Sequence, residues 1–175
     1  MSDERNFKEW YVDVLEALYP RREAGIAAFM IALPLLERYV RQVSCAGPDD
    51  TIDKCYAAIR TIFPVLQSDK AAGDFWKAYR HGFLHQATMS KVAHGGRALP
   101  AAELTHDITV AVHIKTDGSF TVNPEKFARQ VVSVIQADFA TFIGKGSSAP
   151  PLPQVYPIPG TGMLGTGTPP INTTK

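Results

Sequence analysis

Phe75-Trp76-Lys77-Ala78-Tyr79-Arg80-His81-Gly82-Phe83-Leu84-His85-Gln86-Ala87 is the stretch on which the reading of this chain turns. Phe75, Tyr79, Phe83 and Leu84 recur at helical spacing, which predicts a helix from Asp69 to about Met89 with Gly82 as its weak point. On such a helix His81 and His85 are four residues apart and share a face. Arg80 precedes His81 and can swing its long side chain onto the same edge. Trp76 falls off the apolar stripe and is a candidate interface residue.

The N-terminal half predicts three more helices. Asp3 to Leu18 places Phe7, Trp10, Tyr11, Val14, Leu15 and Leu18 on one stripe, with Ser2 or Asp3 as cap and Pro20 as stop. Arg21 to Ser44 is longer and more apolar. Pro34 should kink it, and Glu37, Arg38 and Arg41 follow on its polar side. After Gly47-Pro48, Asp49 or Asp50 should cap a third helix that runs to about Phe63.

Downstream of the central stretch, Ala93 to Thr105 reads as a loop. The period then changes to two: Ile108, Val110, Val112 and Ile114 alternate with Thr109, Ala111, His113 and Lys115. His113 falls on the polar, exposed side. Asp117-Gly118 is a hairpin turn, and Phe120 to Val122 is the return strand. Asn123 and Pro124 open a last helix, as cap and first residue, which Gly144 ends. The expected fold is therefore mainly α, four to five helices with a short β-hairpin before the last. Residues 1–144 form the domain. Residues 145–175, rich in Pro, Gly, Ser and Thr, read as a flexible tail.

Bulk properties fit one soluble domain with a real core: 175 residues, 45% hydrophobic and 20% charged. The charged N-terminus reads as no signal peptide, and the longest apolar run, Gly25 to Leu36, is too short to span a bilayer, so a cytoplasmic protein without membrane association is expected. Two cysteines, Cys45 and Cys55, are too few for a disulfide framework and suggest a reducing compartment, with a Cys45–Cys55 bridge as the open alternative. A net charge of +1 excludes a general polycation, so nucleic-acid contact requires a local patch. Lys70 to Arg97 supplies one: Lys70, Lys77, Arg80, Lys91 and Arg97 face a single acid, Asp74. Lys77, Lys91 and Arg97 are the candidate RNA contacts. Gly95-Gly96-Arg97 lacks the strand, spacing and Lys-Ser/Thr of a phosphate loop.

A guanidinium holds phosphate bidentately, and an imidazole moves a proton near neutral pH. Arg80 with His81 and His85 therefore suits binding and metal-free cleavage of a phosphodiester. A structural reading of the same residues stands beside it: Arg80 pairs with Asp74 or Glu37, and the histidines are satisfied surface groups. Glu37 has two readings of its own, an orienting partner for Arg80 or a solvated partner of Arg41 one turn on. Histidines at i and i+4 also have metal-ligand spacing, with a third ligand sought among His94, His106, Glu37 or a cysteine. No Cys-x-x-Cys or His-Glu-x-x-His accompanies them, so no metal or cofactor is expected.

Arg80-His81-Gly82-Phe83-Leu84-His85 resembles the HEPN superfamily signature, an Arg followed by a polar residue and, four to six residues on, a His. The wider run is similar to small bacterial HEPN-like proteins of the plasmid-encoded hypothetical type, in which a hairpin and terminal helix follow the motif helix. The resemblance covers roughly residues 3 to 144. It implies a helical domain that pairs as a homodimer with two motifs facing each other. It also implies a metal-independent endoribonuclease of a toxin–antitoxin or phage-defence system, with RNA as substrate and an antitoxin or other protein as partner. Arg80 would then hold the scissile phosphate or its developing charge, His85 would act as general base or acid, and His81 would orient or support, leaving a 2′,3′-cyclic phosphate. The alternative is a non-catalytic HEPN-like dimerisation or nucleotide/RNA-binding module. His81 stands where Asn is common in the family.

Overall fold

A computed structural model of the chain describes residues 3–47, 49–81, 96, 98–144 and 152, with His81 described by its backbone alone. The architecture is mainly helical with one small sheet before the last helices. Helix α1 spans residues 3–18 as Asp3–Phe7, a π turn at Lys8–Val12, and Asp13–Leu18. A π turn carries one extra residue, so later positions shift by one around the axis. Hence the face begun by Phe7, 2% exposed, continues through Leu15 and Tyr19, while Val14, expected inside, is 42% exposed.

Helix α2, Gly25–Val43, is the central element and packs most extensively on α5, Pro124–Ala137. Its Phe29 ring lies 4.7 Å from Phe127 and 5.5 Å from Tyr79, and Phe127 stacks on Phe63 at 5.0 Å. Each such pair adds about 0.5–1.5 kcal/mol beyond the area buried. Pro34 sits inside α2 on its exposed side, as does Met30, whose carbonyl the missing N–H leaves to solvent. At the C-terminal end Cys45 takes a left-handed φ of 51°, and the Ala46 N–H closes the turn onto the Arg41 carbonyl at 2.9 Å. Cys45 is exposed and Cys55 buried, and both are free thiols.

The third helical segment differs from expectation at its start. A 3₁₀ turn, Ile52–Cys55, leads into α3, Tyr56–Ile62. Asp50 caps neither; its carboxylate accepts the Gly47 N–H at 2.8 Å and the Lys54 ammonium at 2.6 Å. Helix α4, Asp69–Trp76, is capped by Ser68, whose hydroxyl accepts the Ala71 N–H at 3.2 Å. It continues as a second π turn, Lys77–His81. Trp76 is 2% exposed and belongs to the core, not to an outer face, as do Phe75 and Tyr79. The helix read on to Met89 leaves the described residues after His81.

The sheet has three strands, β1 (Ala102–Leu104), β2 (Val112–Ile114) and β3 (Phe120–Val122), in the order β1-β3-β2. The hairpin read from sequence is present: β2, Val112–Ile114, pairs antiparallel with β3, Phe120–Val122, around Gly118 at φ 82°. Residues 108–111 do not extend β2. The Asn123 amide donates to the Ile108 carbonyl at 2.8 Å and its backbone N–H to Ala111 at 3.0 Å. That hold breaks the alternation, so Ala111 is buried and Val110 is 50% exposed. Strand β1, Ala102–Leu104, comes from the segment read as loop and pairs parallel with β3.

Asn123 caps α5 through the Lys126 N–H at 3.1 Å, with Pro124 first in the helix. The last helix is not continuous. Asp138 leaves helical geometry, accepts bonds from Tyr39 (3.2 Å) and Thr141 (2.8 Å), and starts α6, Phe139–Ile143. The break turns Phe142 into the core against Phe7 at 5.2 Å. Of the tail, Leu152 is described, and it is buried. No helix of the described residues is long and apolar enough to cross a membrane.

Candidate functional site

Arg80 lies in the π turn that ends α4, with its side chain 25% exposed. Its Nε donates to Glu37 Oε2 at 3.1 Å. The other oxygen of Glu37 takes two bonds from Arg41, Nε at 3.1 Å and an Nη at 3.0 Å. Glu37 thus contacts both arginines through one carboxylate, and its pairing with Arg41 is sheltered, not solvated as expected. Glu37 is 17% and Arg41 19% exposed. Arg41 is further fixed by the carbonyls of Gly47 (3.0 Å) and Asp50 (2.9 Å) in the turn after α2. Pro34 lies three residues before Glu37, so the carboxylate follows the one position of α2 that cannot donate a backbone hydrogen bond.

The neighbouring charges are arranged differently. Asp74, the other acid considered for Arg80, is buried and pairs with Lys70 at 3.0 Å. Arg38 turns away to α6: its Nε donates to the Phe142 carbonyl at 3.0 Å and its guanidinium lies 5.2 Å over the Phe142 ring. Burial lowers its pKa, and among the described residues one buried Nη has no hydrogen-bond partner. Lys77 is half-buried at the start of the motif turn. Arg41 escaped the sequence reading as a site residue, although the Glu37-to-Arg41 spacing of four was its signal.

Tyr79, the residue before Arg80, is fully buried. Its hydroxyl reaches the Glu103 carbonyl at 2.8 Å and the Phe120 carbonyl at 3.1 Å, and accepts the Glu103 N–H at 3.2 Å. Burial pushes its pKa well above the usual tyrosine range. Adjacent residues of the π turn therefore face opposite partners, Tyr79 the sheet and Arg80 helix α2.

His81 belongs to the π turn through its backbone. The side chain of His81, and His85, Lys91, His94 and Arg97 as a whole, lie outside the described residues. His113 is exposed on β2, as expected. His106 Nε2 lies 3.2 Å from the Arg22 carbonyl at the start of α2. Among the described residues no three His, Cys, Asp or Glu come together to hold a metal.

A groove of about 470 Å³ opens elsewhere, between α1 and the α5–α6 break, with Phe7, Val12 and Phe139 among its walls and Glu4, Arg5 and Lys8 at its rim. Its cations are engaged, Arg5 with Glu9 at 2.6 Å and Lys8 with Asp13 at 2.8 Å. It contains none of the candidate residues. No family model, no curated protein and no solved structure matches the chain.

Proposed function

We propose that the chain is a HEPN-like, metal-independent endoribonuclease working through Arg80 and His85 with support from His81. The observation that carries the reading is the state of Arg80. It is gripped at Nε by Glu37, which is itself shared with Arg41, while a quarter of the side chain remains open to solvent. A guanidinium held in this way is pre-organised to take a phosphate. In this reading RNA is the substrate, Lys77, Lys91 and Arg97 add backbone contacts, and no metal or cofactor takes part. The protein acts in the cytoplasm as a homodimer, within a toxin–antitoxin or phage-defence system that supplies an antitoxin or other partner. The dimer is supported by an exposed apolar stripe on α2: Ile26 (54% exposed), Ala27, Met30 (37%) and Pro34 lead along one side to Glu37.

The second reading is a non-catalytic dimerisation or nucleotide/RNA-binding module, and the Glu37–Arg80 ion pair favours it. A pair this sheltered can serve packing alone. Cleavage of labelled RNA in EDTA decides between them. The nuclease reading expects cyclic-phosphate products from the wild type and their loss in folded Arg80→Ala and His85→Ala. Intact RNA with the wild type, or equal cleavage by the variants, leaves the module reading.

A further inference from the structure

We infer that Tyr79 is a positioning residue for Arg80: its hydroxyl pins the motif turn to the β1–β3 pair, and so fixes where Arg80 meets Glu37. The inference rests on the nuclease reading for its consequence in catalysis, and on geometry alone for the placement of Arg80.

A π turn is rarely stable by itself and persists where its surroundings hold it. The turn at Lys77–His81 has a hold on each side. On the helix side Glu37 Oε2 receives Arg80 Nε. On the sheet side the Tyr79 hydroxyl sits between two paired strands, on Glu103 of β1 and Phe120 of β3, which are one residue apart in register. A phenol has one proton, so it donates to one of the two carbonyls and accepts the Glu103 N–H. Strands of three residues are weak pairing units, and the Tyr79 bridge ties their fate to the turn. The sheet is the partner against which the motif turn is registered, and it reaches Arg80 through one neighbouring residue.

Removing the hydroxyl keeps the ring packing of Tyr79 against Phe29 and Phe75 but frees the turn from the strands. A net hydrogen bond of this kind is worth about one factor of ten in a local equilibrium. The test compares Tyr79→Phe with Tyr39→Phe, which removes a hydroxyl bond to Asp138 far along the chain. The readout is the exchange rate of the Arg80 Nε–H, assigned by its loss in Arg80→Lys. The expected result is an increase of about tenfold in Tyr79→Phe and no change in Tyr39→Phe. In RNA cleavage the same variant should lose kcat by a similar factor while KM stays within about twofold, because Arg80 serves the transition state. Unchanged Nε–H exchange in folded Tyr79→Phe overturns the inference. If the wild type leaves RNA intact, the nuclease reading falls and the exchange comparison still decides the placement. Should Tyr79→Phe not fold, native-state exchange of the unaltered protein decides instead. The Glu103 amide and the Arg80 Nε–H should then open with one denaturant dependence, and separate dependences refute the coupling.

Discussion

Replacing Glu37 by alanine removes the one carboxylate that two guanidinium groups share. Glu37 accepts from Arg41 at 3.0 and 3.1 Å and from Arg80 at 3.1 Å, in a site where all three side chains are at most a quarter exposed. Breaking a buried ion pair by removing one partner costs about 3–5 kcal/mol, because the remaining charge stays desolvated. Arg41 keeps the Gly47 and Asp50 carbonyls as acceptors, and the alanine gains a few tenths in helix propensity. Both corrections place the expected loss near the lower bound, about 3 kcal/mol. For a chain of this length that corresponds to a fall in Tm of about 6–12 °C. Glu37→Gln retains an acceptor oxygen of the same shape and should lose about half as much. Urea unfolding should show a lower midpoint with an unchanged m-value. A double-mutant cycle with Arg80→Met should return a coupling of at least about 1 kcal/mol. A loss below about 1 kcal/mol in Glu37→Ala, or additive double variants, would refute the claim that one sheltered carboxylate holds both arginines.

Two further outcomes follow from single residues. Asn123→Ala should destabilise by about 2 kcal/mol, since it removes the α5 cap and the buried donor to the half-buried Ile108 carbonyl; thermal unfolding reads the loss, and a shift within surface-mutation range contradicts the assignment. Burial pushes Tyr19 up to about 12 and raises Tyr39, Tyr56 and Tyr79, so above pH of about 10 the unfolded chain releases protons that the folded chain retains. Stability should therefore be flat in these groups below that pH and fall as pH rises beyond it. Tyrosinate absorbance should show Tyr79 ionising only as the protein unfolds, whereas four tyrosines titrating freely near pH 10 would contradict the burial.

Much of the fold was legible because period and punctuation agreed. Asn123-Pro124 opened α5, Asp117-Gly118 turned the hairpin, and Phe75 and Tyr79 marked the buried face of α4. What escaped was decided by tertiary contacts. The π turn at Lys8–Val12 moved Val14 outward although its α-helical phase was sound. Asp138 broke the last helix because Tyr39 and Thr141 bind its carboxylate. Strand β1 carries no strong alternation and exists because β3 offers it a parallel edge. At the site, Arg80 and Glu37 were each named from sequence, but the choice between Arg80 and Arg41 as partner of Glu37 could not be made from spacing. A spacing of four favours Arg41, and only the packing of α4 on α2 adds a residue 43 positions away.

That shared carboxylate bears on which reading of the chain is stronger. A purely structural ion pair is neutral, with one acid for one base, and gives a passing phosphate little reason to stop. Here two guanidinium groups divide one carboxylate, so the cluster of Glu37, Arg41 and Arg80 carries a formal charge of +1. The other hydrogen bonds of Arg41 are to the Gly47 and Asp50 carbonyls, and the Asp50 carboxylate lies close enough to feel its charge. In a sheltered site a charge is screened less than at the open surface. Of the two arginines, Arg80 is the more exposed and is the one that stands in the motif turn. On the proposed nuclease reading the shared carboxylate would orient Arg80 toward a phosphate; on the module reading it would hold the motif turn against α2.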